Sequence, residues 1–202
     1  MTIRRGVDWG ASVPAPADLV ETDDAGAATT LETARRDGRP LPAIGLLRGD
    51  LARTMGGGSR ARLEGRVVRA EVDVLSVTSP DGAGVAVAHV IARRRWWWGE
   101  VCLAMNAQYL GPWDVAPRGH PNDGLVDVLR VDPRMSWRAR LAARRRALTG
   151  THLPHPLIAR SSARDVELHF RRRLDVYLDG RRAFRTRELH IVVQPDAMTV
   201  HV

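Results

Sequence analysis

Hydrophobic and polar residues alternate with a period of two along most of the chain after residue 58. Over 68–74, valine and alanine alternate with arginine, glutamate and aspartate, which is the pattern of a strand with one buried face. Similar runs predict further strands at 85–92, 101–106, 126–131, 166–170, 174–178, 191–193 and 198–202. Asp179-Gly180 is a hairpin signal between two of them. This part of the chain is therefore predicted to be mostly antiparallel sheet.

One helix interrupts the series of strands. The Asp132-Pro133 pair predicts its start, because aspartate caps helices and proline fits their first turn. Trp137, Leu141 and Leu148 follow at spacings of four and seven, which places them on one side of a helix. That side is predicted to be apolar, with arginines over most of the rest.

The residues before the alternating region have a different pattern, in which strands and helices take turns. The predicted elements are a strand at 18–21, a helix at 25–37, a strand at 43–47 and a helical start at 49–55. The run Gly56-Gly57-Gly58-Ser59 then predicts a flexible break. We predict two domains, a reduced α/β unit at 1–57 and a β-sandwich domain at 58–202. A lone βαβ unit leaves sheet edges uncovered, which favours packing on the sandwich or a homodimer.

Composition and the absence of long apolar segments indicate the subcellular location. The 202 residues are 44% hydrophobic and carry a net charge of +8. No apolar run reaches the roughly 20 residues of a membrane-spanning helix, and the first residues lack a secretory signal. The single cysteine, Cys102, fits a reducing compartment and a buried apolar position. We expect a cytoplasmic protein, with the option of peripheral contact at the inner membrane face.

All 31 basic residues are arginine, a bias that GC-rich coding sequence explains for the total. The local run Arg93 to Trp98, with three arginines before three tryptophans, needs its own explanation. One reading is contact with an anionic or lipid surface, or with a partner, through Arg95, Trp96, Trp97 and Trp98. A second is stacking on single-stranded nucleic acid. A third is a hairpin in which one or two of the tryptophans enter the core.

Four segments occur in an order that resembles a known family. They are the run from Asn106 to Pro117, Asn122-Asp123-Gly124-Leu125-Val126-Asp127-Val128, Leu178-Asp179-Gly180 and Gln194-Pro195-Asp196-Ala197. Together they resemble the β-rich domain of the diacylglycerol kinase and sphingosine kinase family, in the NAD kinase-like superfamily. The resemblance implies an α+β fold, with a mostly antiparallel β-sandwich that carries one inserted helix. A short βαβ remnant of the nucleotide domain would precede it.

The resemblance also implies a cofactor site, and the sequence departs from it. Family members hold ATP with a Gly-Gly-Asp-Gly-Thr loop and a second turn. Asp24, Asp50 and Arg53 match positions of that site. Most of the glycines that let backbone N–H groups approach the phosphates are missing, which argues against ATP as a cofactor.

A metal site is implied in the same way. Bacterial members hold a structural Mg²⁺, and the corresponding ligands here are the Asp123 carboxylate and the carbonyls of His120 and Leu125. The alternative is a plain Asn-Asp-Gly turn. A zinc site from His120, His152 and His155 is not favoured, because their spacing lacks a tight zinc pattern.

The position of the catalytic base is altered. In the family, a glutamate after Leu-Asp-Gly accepts the proton of the lipid hydroxyl, and here Arg181 follows Asp179 and Gly180. Arginine stays protonated and cannot act as a base, although Asp179 or Glu188 could substitute. We predict a diacylglycerol kinase-like protein with impaired catalysis that binds a lipid or an anionic small molecule. The alternatives are an active ATP-dependent lipid kinase and a basic nucleic-acid-binding protein.

Overall fold

The structure is a computed structural model that describes residues 9–202. Its strands are β1 (Gly10–Pro14), β2 (Val20–Thr22), β3 (Ile44–Leu46), β4 (Arg66–Ser79), β5 (Gly82–Ala86), β6 (His89–Arg93), β7 (Val101–Met105), β8 (Tyr109–Leu110), β9 (Trp113–Asp114), β10 (Val126–Val131), β11 (Ile158–Ala163), β12 (Asp165–Leu178) and β13 (Arg181–His201). Its helices are α1 (Asp24–Arg36), α2 (Asp50–Thr54) and α3 (Trp137–Ala147), with a 3-10 turn at Arg60–Leu63.

Most of the strands join one large, mainly antiparallel sheet. Its order is β1-β4-β13-β12-β6-β7-β10-β11, with β5 beside β4. The β2-α1-β3 unit extends this sheet, because β3 lies parallel to both β2 and the end of β13. The predicted fold class is confirmed: a βαβ segment precedes a mostly antiparallel β-sandwich-like domain.

Two pairs of predicted strands are single long strands. β12 runs through the polar stretch at 171–173 with a register shift between His169 and Leu174, and β13 shifts between Gln194 and Met198. Each shift is a bulge or another irregularity, which interrupts the regular pairing without ending the strand. One strand therefore stands where the sequence pattern indicated two.

The predicted strand at 85–92 is divided into β5 and β6. Between them, the backbone N–H groups of Val87, Ala88 and His89 bond to the Asp179 carboxylate and not to a neighbouring strand. Strands β1, β8, β9 and β11 were not predicted. β11 is exposed and mostly polar at the edge of the sheet, so it lacks the apolar alternation of a half-buried strand.

The predicted start and packing of α3 were wrong. Ser136, not Asp132, caps the helix and accepts a hydrogen bond from the Ala139 N–H. Trp137 and Leu148 are 45% and 55% exposed, so the apolar side does not form the buried side. The buried positions are Arg140 and Ala147 instead, because the guanidinium of Arg140 finds backbone acceptors in the interior.

Three apolar cores hold the molecule together. One fills the sandwich, and a second joins the βαβ unit to β4 and β13 through side chains such as Leu31, Ile44, Val74 and Val200. The third lies between β7, β10 and α3. The second core shows that the βαβ unit packs on the sandwich; the domain limit at 57/58 stays a prediction. No helix among residues 9–202 is long and apolar enough to cross a membrane.

Candidate functional site

A cleft of about 350 Å³ opens where α1, α2, β6 and the β12–β13 turn meet. Its polar wall carries Asp23, Asp24, Asp50, His89 and Asp179, and we call it the acidic cleft. Its other walls are formed mainly by Ile91, Arg93, Trp96, Leu110 and Tyr177. Four carboxyl groups and one imidazole are thus gathered from distant parts of the chain.

Asp179 is held in the turn that joins β12 to β13. Its φ of 46° and that of Gly180, 82°, are both left-handed, as a two-residue hairpin turn requires. One carboxylate oxygen accepts the N–H of Val87 at 2.8 Å, and the other accepts those of Ala88 and His89, both at 2.9 Å. Burial raises the pKa of Asp179, and the His89 charge and these hydrogen bonds oppose that rise.

Asp24 caps the short helix α2 from the start of α1. Its Oδ2 accepts the N–H groups of Asp50 at 2.6 Å and Leu51 at 3.1 Å. Its Oδ1 is buried and has no hydrogen-bond partner in the described part of the chain. Gly49 is required here, because a Cβ at that position would lie 2.2 Å from Asp24 Oδ1. Burial raises the pKa of Asp24 to about 7.

Asp50 connects the cleft to the β8–β9 hairpin. Its Oδ2 lies 2.9 Å from His89 Nε2, and its Oδ1 accepts the Gly111 N–H at 2.6 Å. Burial alone would lower the pKa of His89, but the hydrogen bond with Asp50 and the charge of Asp179 raise it overall. This shift favours the protonated imidazole, whose charge would partly offset the carboxylates. Arg53, one turn along α2, stacks 4.1 Å from the Tyr109 ring and donates to the Gly111 carbonyl.

Asp24→Asn is expected to make the free energy of unfolding less dependent on pH between about 4 and about 7. The folded pKa of Asp24 lies above its unfolded value of 3.8. The folded state therefore binds more protons in this window, and wild-type stability falls as pH rises through it, by at most about 1.4 kcal/mol per pH unit from this group. Asparagine keeps the acceptor oxygen without the titration. Urea unfolding of both proteins across this range measures the effect, and a stability difference that does not change with pH would contradict it.

A second, larger cavity adjoins the acidic cleft. It has a volume of about 430 Å³ and lies between α3 and the outer face of β7 and β10. Its walls are mainly apolar and include Val101, Leu103, Trp113, Leu129, Val131, Met135, Ala143, Ala147 and Ile158. Trp96 and Leu110 line both this apolar cavity and the acidic cleft. The two spaces together form an apolar compartment next to a polar one.

Buried Arg140 fixes the wall of the apolar cavity. Its guanidinium donates to the carbonyls of Met135 and Trp96, both at 3.0 Å, of Asp132 at 3.2 Å, and of Gly99. Burial lowers the pKa of Arg140, although it stays far above neutrality. One side chain thus joins α3 to the 94–99 loop.

Comparisons with known proteins identify the scaffold of this site. The family model of the YegS C-terminal NAD kinase beta sandwich-like domain matches residues 68–202. The chain belongs to this family. The predicted resemblance to diacylglycerol kinase-like proteins is thereby confirmed.

Solved structures agree on the fold of this YegS-family protein. A putative diacylglycerol kinase from Bacillus anthracis str. Sterne matches it with a TM-score of 0.64 and 13% identity, over 90% of this chain and 76% of that one. A further diacylglycerol kinase structure from the same organism matches with a TM-score of 0.57 and 14% identity, over 90% and 74% of the two chains. At such identity the likeness shows the fold alone. The curated proteins contain no match.

The structure brings only some of the predicted site residues of the YegS-family chain together. Asp24, Asp50 and Asp179 share the acidic cleft, whereas Arg53 lies behind it against Tyr109. Arg181 is exposed at the start of β13, with its Nη1 3.5 Å from Thr29 Oγ1. A nucleoside triphosphate would fit the acidic cleft poorly, because its phosphates would lie opposite several carboxyl groups. The prediction against ATP as a cofactor stays a prediction.

The predicted magnesium ligands lie outside both compartments. Asp123 Oδ1 accepts the Leu125 N–H at 2.9 Å, and the Asp123 N–H reaches the His120 carbonyl at 3.4 Å, as in an Asx turn. Burial raises the pKa of Asp123 to about 6, and the charges of Asp127 and Asp73 add to this. Such an excess of negative charge fits a cation held by one carboxylate, carbonyls and water. No group of three or more His, Cys, Asp or Glu side chains in residues 9–202 surrounds a common metal position, so Mg²⁺ stays a prediction.

His152, His155 and Cys102 have structural positions. Burial lowers the pKa of His152, which lines the apolar cavity, and His155 accepts the Leu157 N–H at 3.0 Å. Cys102 is buried as predicted, and burial raises the pKa of its thiol to about 12. None of the three therefore adds a reactive group to the site.

Sequence reasoning missed His89 and Arg140. Each is a polar residue within a segment that must pack: His89 stands in the apolar run at 85–92, and Arg140 lies one residue before Leu141 on α3. A polar side chain in a buried segment is a signal for a hydrogen-bonded partner. The identity of those partners, Asp50 and the carbonyls of the 94–99 loop, depends on the fold.

Proposed function

We propose that this YegS-family chain is a diacylglycerol kinase-like protein that binds a neutral lipid and does not transfer phosphate efficiently. The observation that carries the proposal is that the two compartments are adjacent and share Trp96 and Leu110 in their walls. An amphiphile has the same division, because its hydrocarbon chain avoids water and its headgroup needs hydrogen bonds.

The apolar cavity supports the hydrocarbon part of this proposal. Its volume of about 430 Å³ falls in the range of roughly 300–1,000 Å³ that small-molecule sites occupy. Its walls are aliphatic and aromatic side chains from β7, β10 and α3, which can make dispersion contacts along a chain. An acyl chain that enters beside Trp96 would remove apolar surface from water on both partners.

The acidic cleft supports a neutral headgroup that bears hydroxyl groups. Hydroxyl hydrogens can donate to the carboxyl groups of Asp24 and Asp50. A phosphorylated headgroup would be disfavoured, because four aspartates line the cleft and only two basic residues, His89 and Arg93, oppose them. Diacylglycerol is a lipid with this headgroup chemistry, so it is the ligand class we propose.

Two features support weak phosphoryl transfer. Arg181 carries a permanent positive charge at the position of the family base, and it lies outside the lining of the acidic cleft. Asp179, a predicted substitute, already accepts three backbone N–H groups. Glu188, the other substitute, is exposed on β13 and lies 3.6 Å from His169, also outside the cleft lining. Neither of the two predicted substitutes therefore offers a free carboxylate in the cleft.

Titration with dioctanoylglycerol, a short-chain diacylglycerol, tests the proposal. Trp96, Trp97 and Trp113 line the apolar cavity, so their fluorescence is expected to shift to shorter wavelength as the chains displace water. In a parallel assay with radiolabelled ATP, Mg²⁺ and the same lipid, we expect no phosphatidic acid above background, with a bacterial diacylglycerol kinase as the positive control. Absence of saturable binding would overturn the lipid assignment. Multiple turnovers that Asp123→Ala abolishes would instead establish an active lipid kinase.

A further inference from the structure

Four of the seven large hydrophobic side chains that are exposed among the described residues lie in two neighbouring segments. Trp96 and Trp98 belong to the 94–99 loop, and Trp137 and Leu148 belong to the outer side of α3. The segments meet in a shallow depression that Trp97, Trp98, Trp137 and Leu141 line. We call the outer side of these two segments, over residues 93–99 and 136–148, the tryptophan face.

The tryptophan face is also strongly basic. Residues 93–99 and 136–148 contain eight arginines and no aspartate or glutamate. Within the described part of the chain, none of these arginines forms a salt bridge, and Arg94, Arg95, Arg138, Arg145 and Arg146 are exposed. The nearest acidic residues along the chain, Glu100 and Asp132, are neutralised by Arg130 at 2.6 Å and Arg134 at 2.7 Å. The face is thus complementary to an anionic surface.

Several of its arginines lie over the tryptophan rings. Arg93 stacks 4.6 Å from the Trp96 ring, Arg138 5.3 Å from Trp137, and Arg144 5.6 Å from Trp97. The bases of a single-stranded nucleic acid would need these same ring faces for stacking. A bilayer does not need free ring faces, because its interface accepts indole rings and guanidinium groups side by side. The arrangement therefore favours a membrane over a nucleic acid.

The tryptophan face is fixed beside the apolar cavity. Arg140 bonds to the Trp96 and Gly99 carbonyls from inside α3, which joins the loop to the helix. Trp96 and Trp97 line the apolar cavity as well. A surface that this face contacts would therefore lie next to the apolar cavity.

We propose that the tryptophan face docks this protein on an anionic phospholipid bilayer, with Trp98 and Trp137 entering the interface and the surrounding arginines contacting lipid phosphates. The proposal concerns adsorption to the bilayer and goes beyond ligand binding in the apolar cavity. It requires only the outer side of α3 and the 94–99 loop, so it can hold or fail independently of the proposed function.

Co-sedimentation with vesicles tests the docking. Wild-type protein is expected to bind vesicles of equimolar phosphatidylcholine and phosphatidylglycerol, and to bind pure phosphatidylcholine vesicles more weakly by about tenfold or more. Trp98→Ala/Trp137→Ala should weaken binding to the anionic vesicles by about tenfold, whereas Val20→Ala/Val68→Ala, at two exposed apolar positions elsewhere, should leave it unchanged. Equal loss in both pairs, or none in either, would overturn the proposal.

A second pair of variants tests the charge, and a third variant separates the face from the cavity. Arg94→Glu/Arg95→Glu is expected to abolish vesicle binding, while Arg69→Glu/Arg187→Glu, with the same change in net charge on β4 and β13, should retain most of it. Ala143→Phe, which fills the apolar cavity, should bind vesicles like wild type; loss of binding in this variant would show that adsorption uses the cavity and not the face.

Tighter binding to single-stranded DNA than to anionic vesicles, lost in Trp98→Ala/Trp137→Ala, would also overturn the membrane assignment. Thermal unfolding of each variant confirms that it is folded.

Discussion

Asp179→Ala is expected to lower the free energy of unfolding by at least about 3 kcal/mol, because it leaves three buried backbone N–H groups without an acceptor. Those groups, on Val87, Ala88 and His89, lie 2.8–2.9 Å from the carboxylate. Each buried donor left unsatisfied costs about 1–3 kcal/mol, and relief of the buried carboxylate's own desolvation offsets part of the sum. Alanine also tolerates the left-handed backbone at this position poorly.

Urea unfolding followed by far-UV circular dichroism measures this loss. Asp179→Asn is the informative companion, since asparagine keeps an acceptor oxygen and tolerates the left-handed conformation, and it should lose less than half as much stability as alanine. Asp81→Ala is the matched control in another hairpin turn, between β4 and β5, where the side chain is exposed and pairs with Arg173. A loss no larger in Asp179→Ala than in Asp81→Ala would mean that the carboxylate does not organise the break between β5 and β6.

Ala143→Phe is expected to weaken dioctanoylglycerol binding by about tenfold or more, equivalent to about 1.4 kcal/mol. Ala143 lines the apolar cavity from α3, so the phenyl ring would occupy the space proposed for an acyl chain. The added ring fills an existing void and does not compress a packed core, so the folded state should lose little stability.

Ala142→Phe is the matched control for this change. Ala142 is on the same helix, is exposed, and does not line the apolar cavity. Its affinity for dioctanoylglycerol, measured by tryptophan fluorescence, should stay within about twofold of wild type. Equal affinities for wild type and Ala143→Phe would place the lipid elsewhere, even if binding itself is confirmed.

Much of the sheet could be predicted from the alternation of side chains, and the irregular positions could not. The predicted strand at 126–131 coincides with β10, and the helix at 25–37 differs from α1 by one residue at each end. The segment 85–92 was predicted as one unbroken strand. Its apolar pattern gives no information about Asp179, which is distant in sequence and accepts the N–H groups in the middle of this segment. Local patterns indicate burial, whereas bulges and breaks depend on partners distant in sequence.

The sequence predicted several residues of the candidate site but not their arrangement. Asp24, Asp50 and Asp179 came from a family resemblance, and the structure places them in one cleft. His89, which lies 2.9 Å from Asp50 Oδ2, gave no comparable signal. The predicted magnesium ligands around Asp123 and the predicted homodimer stay predictions.

The sequence by itself determined the family, the position of most of the strands and helices, and the run of arginines and tryptophans at 93–98. These follow from local patterns, because periodicity and turn residues act over a few positions. Only the tertiary structure decided that Trp96 and Leu110 form the boundary between an acidic cleft and an apolar cavity, and that Arg140 joins α3 to the 94–99 loop. The physical reason is that a cavity is space left between elements, whose shape depends on how the elements pack and not on any one segment.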